Sequence, residues 1–436
     1  MRVIINPHQF SGVIRIPPSK SHTIRQLFIA SLADGVSEIK TPLDSLDVRS
    51  CISVCRNLFG AEITEYYSNE KLASFKVKGN NFLKKQTLID VGNSGTALFF
   101  ALAAAGLQSE PVEFTGDAQI QRRSAAPLLE ALAGLGVRSQ SNNGCVPITI
   151  KGKWAGGNVN LSCPTSQYLS ALLIAAPAAP ANTTAEIEVP FLNEKPYIDM
   201  TLSYLKEHGI PFEFSPDYSH FVVPGGSAWK AFSGFVSGDF SSAAFPAAAA
   251  AITGGEVTLL GLDPNDTQGD KFFFHILEEM GCNVNWNDNK SVTISRSGEL
   301  HGGTFDLNDT PDLFPAAAAV AAYANGDTSL VNIGHARIKE TDRIASMARE
   351  LAKLGVLCTQ LPDGLIVHGK RESEVLSLTS ASALDGCGDH RIIMALAVAA
   401  LGCNTPIEII NAENTEVSYP GFFSLVEIPF ESIKRS

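Results

Sequence analysis

A few short polar strings in this chain hold more charge and hydrogen-bonding capacity than the apolar sequence around them requires. Arg337-Ile338-Lys339-Glu340-Thr341-Asp342-Arg343 is the densest, and it precedes apolar positions at Ile344, Met347, Leu351 and Leu354 with helical spacing. Lys339 and Arg343 are four residues apart, so a helix opening here is expected to project both cations from one face of its first turn. The helix dipole disfavours cations at that end, so an anionic partner would account for them. A solvated ladder compensated by Glu340 and Asp342 is the alternative. Pro18-Ser19-Lys20-Ser21-His22-Thr23-Ile24-Arg25 offers Ser19 or Ser21 as a cap, with Lys20 and Arg25 adding charge beside free N–H groups. A capped surface helix would carry the same letters. Gly92-Asn93-Ser94-Gly95-Thr96 is a small-residue turn where backbone can approach a ligand closely. Arg122-Arg123 is expected to open another helix, and Asp389-His390-Arg391 precedes an apolar one, with His390 read as a core or capping histidine. Asp312, after Pro311, suits either an N-cap or a carboxylate for acid–base work.

These strings stand at the heads of a repeated element. Six alanine-rich apolar stretches recur roughly 71 to 78 residues apart: 21–33, 96–105, 168–179, 243–252, 314–324 and 392–401. Each is expected to be a helix with almost no polar side, hence buried with sheets packed round it. A β-rich stretch follows each, then a second, amphipathic helix closed by glycine, at 48–60, 124–136, 198–209, 271–281 and 340–355. The sixth repeat has only 416–427 as a candidate for its second helix. The repeating unit is therefore strand–helix–strand–helix–strands, and three units per domain is the natural partition because one unit cannot cover its own apolar face. The expected domains are 19–235, and 1–18 with 236–436; the strands at 2–5 and 12–16 could pair with either.

A chain of 436 residues with 45% hydrophobic content can bury two cores. Its net charge of −12 argues against a nucleic-acid surface or a polybasic membrane surface, though not against a small anionic substrate. Eight cysteines show no CxxC pair or metal-ligand spacing and read as scattered reduced thiols. The sequence enters a strand directly at Arg2, with no visible leader, and the alanine-rich runs are too short to span a bilayer, so cytoplasm is the expected compartment. No Walker-type phosphate loop and no serine–histidine–acid signature occur.

The strings Pro18–Arg25, Gly92–Thr96, Lys339–Arg343 and Asp389–Arg391 together resemble the 5-enolpyruvylshikimate-3-phosphate synthase family. Thr165-Ser166-Gln167, Lys195-Pro196-Tyr197, Gly238–Ser242 and Gln268-Gly269-Asp270 support the likeness, which runs in order from about residue 10 to about residue 422. The resemblance implies the enolpyruvyl transferase fold: α/β, two similar domains of three βαβαββ units, closing on substrate. It implies transfer of the enolpyruvyl group of phosphoenolpyruvate to the 5-hydroxyl of shikimate 3-phosphate with release of phosphate, by a monomer needing no metal or organic cofactor. By the same resemblance, Lys20, Ser21, Arg25, Thr165, Ser166, Gln167, Asp312 and Lys339 would contact shikimate 3-phosphate. Lys20, Gly95, Arg123, Gln167, Arg343 and Arg391 would contact phosphoenolpyruvate. Glu340 would donate the proton to the methylene carbon, and Asp312 would take one from the 5-hydroxyl.

The chain departs from the family pattern at Phe99-Phe100, Ser124, Glu194 and Val417, where an arginine–proline pair, a proline, a serine and a lysine are usual. Two alternatives share much of this sequence pattern. One is a related transferase acting on a UDP-amino sugar; the other is an impaired homologue that only binds shikimate phosphate.

Overall fold

The computed structural model of this protein describes residues 1–79, 86–287, 290–370, 376–378 and 383–426. It divides into two compact units: Pro18–Val236, and Met1–Pro17 with Ser237–Ser436. Each has its own hydrophobic core.

The unit Pro18–Val236 contains α1 (Lys20–Leu32), α2 (Leu46–Leu58), α3 (Gly95–Ala105), α4 (Ala126–Gly134), α5 (Gln167–Ala175) and α6 (Lys195–Glu207). The other contains α7 (Phe240–Thr253), α8 (Phe272–Glu279), α9 (Phe314–Ala321), α10 (Arg343–Lys353), α11 (His390–Leu401) and the short α12 (Phe422–Val426). The odd-numbered helices are the alanine-rich ones, and they are buried as their lack of a polar side requires; every residue of α11 is inside. Small side chains let α3 lie against α5 and α11 against both α7 and α9. Each fully buried Leu or Ile among them contributes about 1.5–3 kcal/mol. The even-numbered helices α2, α4, α6, α8 and α10 each give way to a glycine at positive φ, as at Gly60 (69°) and Gly209 (68°), where a Cβ would be strained.

The described residues form six small sheets, five of four strands and one of three. In the first, Ser233–Phe235 runs parallel to Val36–Lys40 in the register Gly234↔Ile39. Val36–Lys40 pairs antiparallel with Lys71–Lys78 (Ile39↔Phe75), which pairs antiparallel with Glu62–Ser68. Period-2 alternation sends Ile39, Phe75 and Val77 into the core. The same order, one parallel pair and then an antiparallel hairpin, recurs in the four other four-stranded sheets.

The two N-terminal strands both belong to the second unit. Gly12–Arg15 lies parallel to Glu256–Leu260, and Arg2–Ile5 lies antiparallel to Ile407–Ile410 in the register Ile5↔Ile407. The chain's beginning thus completes the sixth repeat, which ends in a 3-10 turn (Glu413–Val417) and α12 rather than a full second helix. The end of the candidate 416–427 lies outside the described residues.

Two helix starts differ from the sequence-based expectation. Arg122-Arg123 does not open a helix: Ile120–Arg122 is a 3-10 turn, Arg123 is extended, and α4 begins at Ala126. Asp117 holds that turn by accepting from the N–H groups of Gln119 and Ile120 at 2.9 and 3.0 Å. The Lys339–Arg343 string is not a first helical turn either. Asp342 caps α10 by accepting from Ala345 N–H at 3.0 Å, so only Arg343 is helical and Lys339 precedes the cap.

No described helix is long and apolar enough to cross a membrane.

Candidate functional site

In the unit Pro18–Val236, the sequence-singled residues gather at the starts of α1, α3 and α5. Ser19 is the cap of α1, accepting from His22 N–H at 3.4 Å, so Lys20 and Ser21 stand in its first turn. Lys20 Nζ donates to Asp47 Oδ2 at 3.0 Å, both largely buried. Ser94 caps α3. A Cβ on Gly95 would lie 2.6 Å from Arg123 Nη1 and 3.6 Å from Gln167 Oε1. Those two contacts bring Gly95, Arg123 and Gln167 together, and a Cβ there would displace the end of the Arg123 side chain.

Arg25 lies deeper. Its Nε donates to Thr201 Oγ1 (2.9 Å), its Nη2 to Ser170 Oγ and Tyr197 O (3.1 Å each), and its Nη1 to Ser21 O (3.3 Å). Burial lowers its pKa to about 10, still charged at neutral pH. Its guanidinium carbon also stands 5.5 Å from the Phe100 ring centroid, and Phe100 packs edge-on against Phe28. Phe99 does the same against Tyr168. The Phe99-Phe100 departure is thus absorbed by the core. Ser124, where a proline is usual, lies one residue before the Ala125 N-cap of α4, and its Oγ accepts from Ala126 N–H at 3.2 Å.

Thr165 and Ser166 stand before α5 with their donors turned on Glu194. Glu194 Oε2 accepts from Thr165 Oγ1 (3.1 Å), Ser166 N–H (2.9 Å) and Ser166 Oγ (2.8 Å). Nothing in the sequence shows that this carboxylate would turn 28 residues back along the chain.

In the other unit, Arg343 is the centre of an ionic network at the starts of α9, α10 and α11. Its side chain is 1% exposed. Nε donates to Asp389 Oδ2 (2.7 Å), Nη1 to Asp312 Oδ1 (2.8 Å) and Nη2 to Glu340 Oε2 (2.6 Å). Arg391 Nη2 meets the other oxygen of Asp312 at 2.8 Å. The planar guanidinium fork satisfies three carboxylates at once, which one ammonium cannot do. Asp389 caps α11 by accepting from the Arg391 backbone N–H at 2.9 Å and also holds the Arg343 guanidinium. Asp312 is not an N-cap; it sits in a 3-10 turn (Pro311–Leu313) before α9. Lys339 is half-buried beside this cluster, near enough to act on Asp312.

Burial pushes the Asp312 carboxyl up, but Arg391, Arg343 and Lys339 overcome that and hold it well below the carboxylate range. Burial likewise opposes charge on Arg343, and Asp389, Glu340 and Asp312 outweigh it. Asp270 is the opposite case. Burial, reinforced by the Asp312 charge, raises it to about 7, and Ser241 Oγ donates to it. Two carboxyls whose environments push them apart can differ in protonation at neutral pH. The sequence assigns no role to Asp270 or Asp389; their places in the strings Gln268-Gly269-Asp270 and Asp389-His390-Arg391 are the only signal it offers. Val417 is buried in its 3-10 turn, so that position supplies no charge. Among the described residues no cluster of three His, Cys, Asp or Glu could hold a metal ion.

Two units of three α/β repeats, with cations and hydroxyls gathered where apolar helices begin, are the equipment of a protein handling small, multiply anionic substrates. The sequence model described as EPSP synthase (3-phosphoshikimate 1-carboxyvinyltransferase) matches residues 4–425. The 3-phosphoshikimate 1-carboxyvinyltransferase of Acetivibrio thermocellus is 44% identical over 428 residues, covering 98% of this chain and 97% of that protein. Its namesake in Ruminiclostridium cellulolyticum is 42% identical, covering 97% of each. The solved EPSP synthase of Acinetobacter baumannii superposes with a TM-score of 0.76 at 25% identity, covering 97% of both chains. This chain belongs to the EPSP synthase family.

Proposed function

We propose that this protein transfers the enolpyruvyl group of phosphoenolpyruvate to the 5-hydroxyl of shikimate 3-phosphate, releasing phosphate, in aromatic amino acid biosynthesis. The observation that carries the proposal is the Arg343 network: paired arginines and opposed carboxyls held at three helix starts, in a chain of this family.

Arg343 and Arg391 would fork the phosphoenolpyruvate carboxylate, with Lys20, Arg123, Gln167 and the Gly95 backbone receiving its phosphate end. Thr165, Ser166 and Lys20 would hold the shikimate phosphate, Ser21 and Gln167 the ring, Arg25 the shikimate carboxylate through its remaining Nη1 proton, and Asp312 and Lys339 the hydroxyls. Without substrate, the arginines are neutralised by the protein's own carboxylates. An incoming carboxylate shares those cations, which weakens their hold on Asp312 and raises its basicity. Asp312 then suits the proton from the 5-hydroxyl, while Glu340 beside Arg343, in its protonated form, delivers one to the methylene carbon. The adduct next expels phosphate from C2 with the hydroxyl's proton, and the transient methyl group returns a proton to Glu340, restoring the double bond. Catalysis then needs no group beyond these side chains and the substrates. A monomeric, cytoplasmic protein with the division of labour 19–235 for shikimate phosphate and 236–436 for acid–base work belongs to the same proposal.

Phosphate release from millimolar shikimate 3-phosphate and phosphoenolpyruvate tests it, with a UDP-amino sugar as the competing acceptor. Turnover with the first acceptor alone is expected. Well-folded protein that releases no phosphate, or that prefers the sugar nucleotide, would overturn it.

A further inference from the structure

The Glu194 carboxylate is placed as a bound anion would be. Three donors, Thr165 Oγ1, Ser166 N–H and Ser166 Oγ, converge within 3.1 Å on its single oxygen Oε2. The residue is 2% exposed, and the buried Arg25 guanidinium feels its charge. Its backbone lies in the left-handed region (φ 63°, ψ 43°), uncommon for a residue with a long side chain. It occupies the N-cap position of α6 but makes no side-chain cap there, reaching instead to the start of α5. A glutamate serving its own helix would do neither.

We propose that Glu194 is a specificity-determining residue that fills the phosphoryl-binding position of the acceptor site with the protein's own charge, so that the acceptor binds by displacing it. The inference rests on the proposed function, which gives Thr165 and Ser166 to the acceptor phosphate. Those hydroxyls and that amide cannot serve two anions, and a carboxylate left beside a phosphoryl dianion repels it. A phosphoryl group brings more charge and three acceptor oxygens, so it wins the exchange at sufficient concentration. The affinity read in solution is its intrinsic affinity lowered by the stability of the internal contact. An acceptor that lacks the phosphate makes no claim on the nest, so its affinity is indifferent to the carboxylate that fills it.

The test uses full-length protein and two substitutions. Glu194→Asn tolerates the left-handed backbone but is one methylene short of the nest. Glu194→Gln keeps the reach and removes the charge. Titration calorimetry with shikimate 3-phosphate is expected to show roughly ten- to a hundredfold tighter binding in Glu194→Asn, and a smaller gain in Glu194→Gln. Shikimate without its phosphate is expected to bind no tighter than to wild type, a discrimination that a merely structural tether would not produce. Inorganic phosphate is the second probe, and it is expected to raise the melting temperature of Glu194→Asn more than that of wild type. Unchanged or weaker affinity for shikimate 3-phosphate in both variants overturns the inference while leaving the proposed function standing, provided wild type turns over. Absence of acceptor binding in every form, with inorganic phosphate still favouring Glu194→Asn, overturns the proposed function and supports the filled nest. If Glu194→Asn does not fold, Glu194→Gln decides alone: no gain in phosphate affinity overturns the inference.

Discussion

Replacing Arg343 by methionine takes one guanidinium from between three carboxylates and leaves the stem volume nearly filled. Asp389 is fully buried, and Glu340 and Asp312 have 17% and 23% of their side chains exposed, so water can relieve only part of the loss. Arg391 still covers one oxygen of Asp312, which leaves Asp389 and Glu340 with most of the deficit. Removing one partner of a buried pair costs about 3–5 kcal/mol. For a unit of this size that is a fall of about 6–20 °C in melting temperature. Arg343→Lys keeps the charge but loses the fork, and with it one or more charge-assisted bonds of about 1.5–3 kcal/mol each. The assay is urea unfolding of wild type and both variants at pH 7 and near pH 3.5. Asp312 is held low in the native protein, so its contribution is present above the unfolded carboxylate value of 3.8 and lost as pH falls below it. In Arg343→Met one of the cations responsible is gone, so the gap from wild type is expected to be fully open at pH 7 and to narrow under acid. A gap below about 1 kcal/mol at pH 7, or one as wide at pH 3.5, would refute the account of Arg343 as the charge that holds the cluster together.

Gly95→Ala is expected to push Arg123 aside, since its Cβ would stand 2.6 Å from Nη1, and to raise the KM for phosphoenolpyruvate about tenfold or more while barely changing shikimate 3-phosphate affinity; an equal loss for both substrates in steady-state kinetics would count against it. Asp270, raised to about 7, binds its proton more tightly folded than unfolded, so wild type is expected to lose stability as pH rises from about 4 to about 7. Asp270→Asn removes that slope and gains up to about 4 kcal/mol relative to wild type between pH 4 and pH 8; parallel stability curves would sink the assignment. Phe100→Ala is expected to cost about 3–5 kcal/mol and to free Arg25 from its aromatic contact, seen as a lowered melting temperature with weaker acceptor binding. A loss under 1 kcal/mol would show that the pocket collapses around the gap.

The six alanine-rich helices were legible because a helix with no polar face has nowhere to go but inside. The glycines that close the second helices were legible because a left-handed cap admits little else. Charged strings are harder to read. Asp342 looked like compensation for Lys339 and Arg343, yet it is the cap that sets where α10 starts. Arg123 reaches Gly95 from a 3-10 turn stapled by Asp117, an interaction invisible in the periodicity of 124–136. Glu194 and Asp389 stand out as letters, but where their carboxylates turn was not legible: their partners are far away in sequence, and a carboxylate's direction depends on backbone geometry that residue type does not specify. The sequence groups 1–18 with 236–436 but does not fix what the strands at 2–5 and 12–16 pair with, because alternation marks a buried face and not a partner strand.

That assignment bears on how the molecule is made. The strands Arg2–Ile5 and Gly12–Arg15 leave the ribosome before Pro18–Val236, but their neighbours at Ile407–Ile410 and Glu256–Leu260 emerge only after the whole of it. At about 5–20 residues per second, the leading strand waits some tens of seconds with both hydrogen-bonding edges unpaired. The intervening unit is free to fold in that interval, so synthesis pauses and holdase chaperones should matter most for the unit whose segments flank Pro18–Val236.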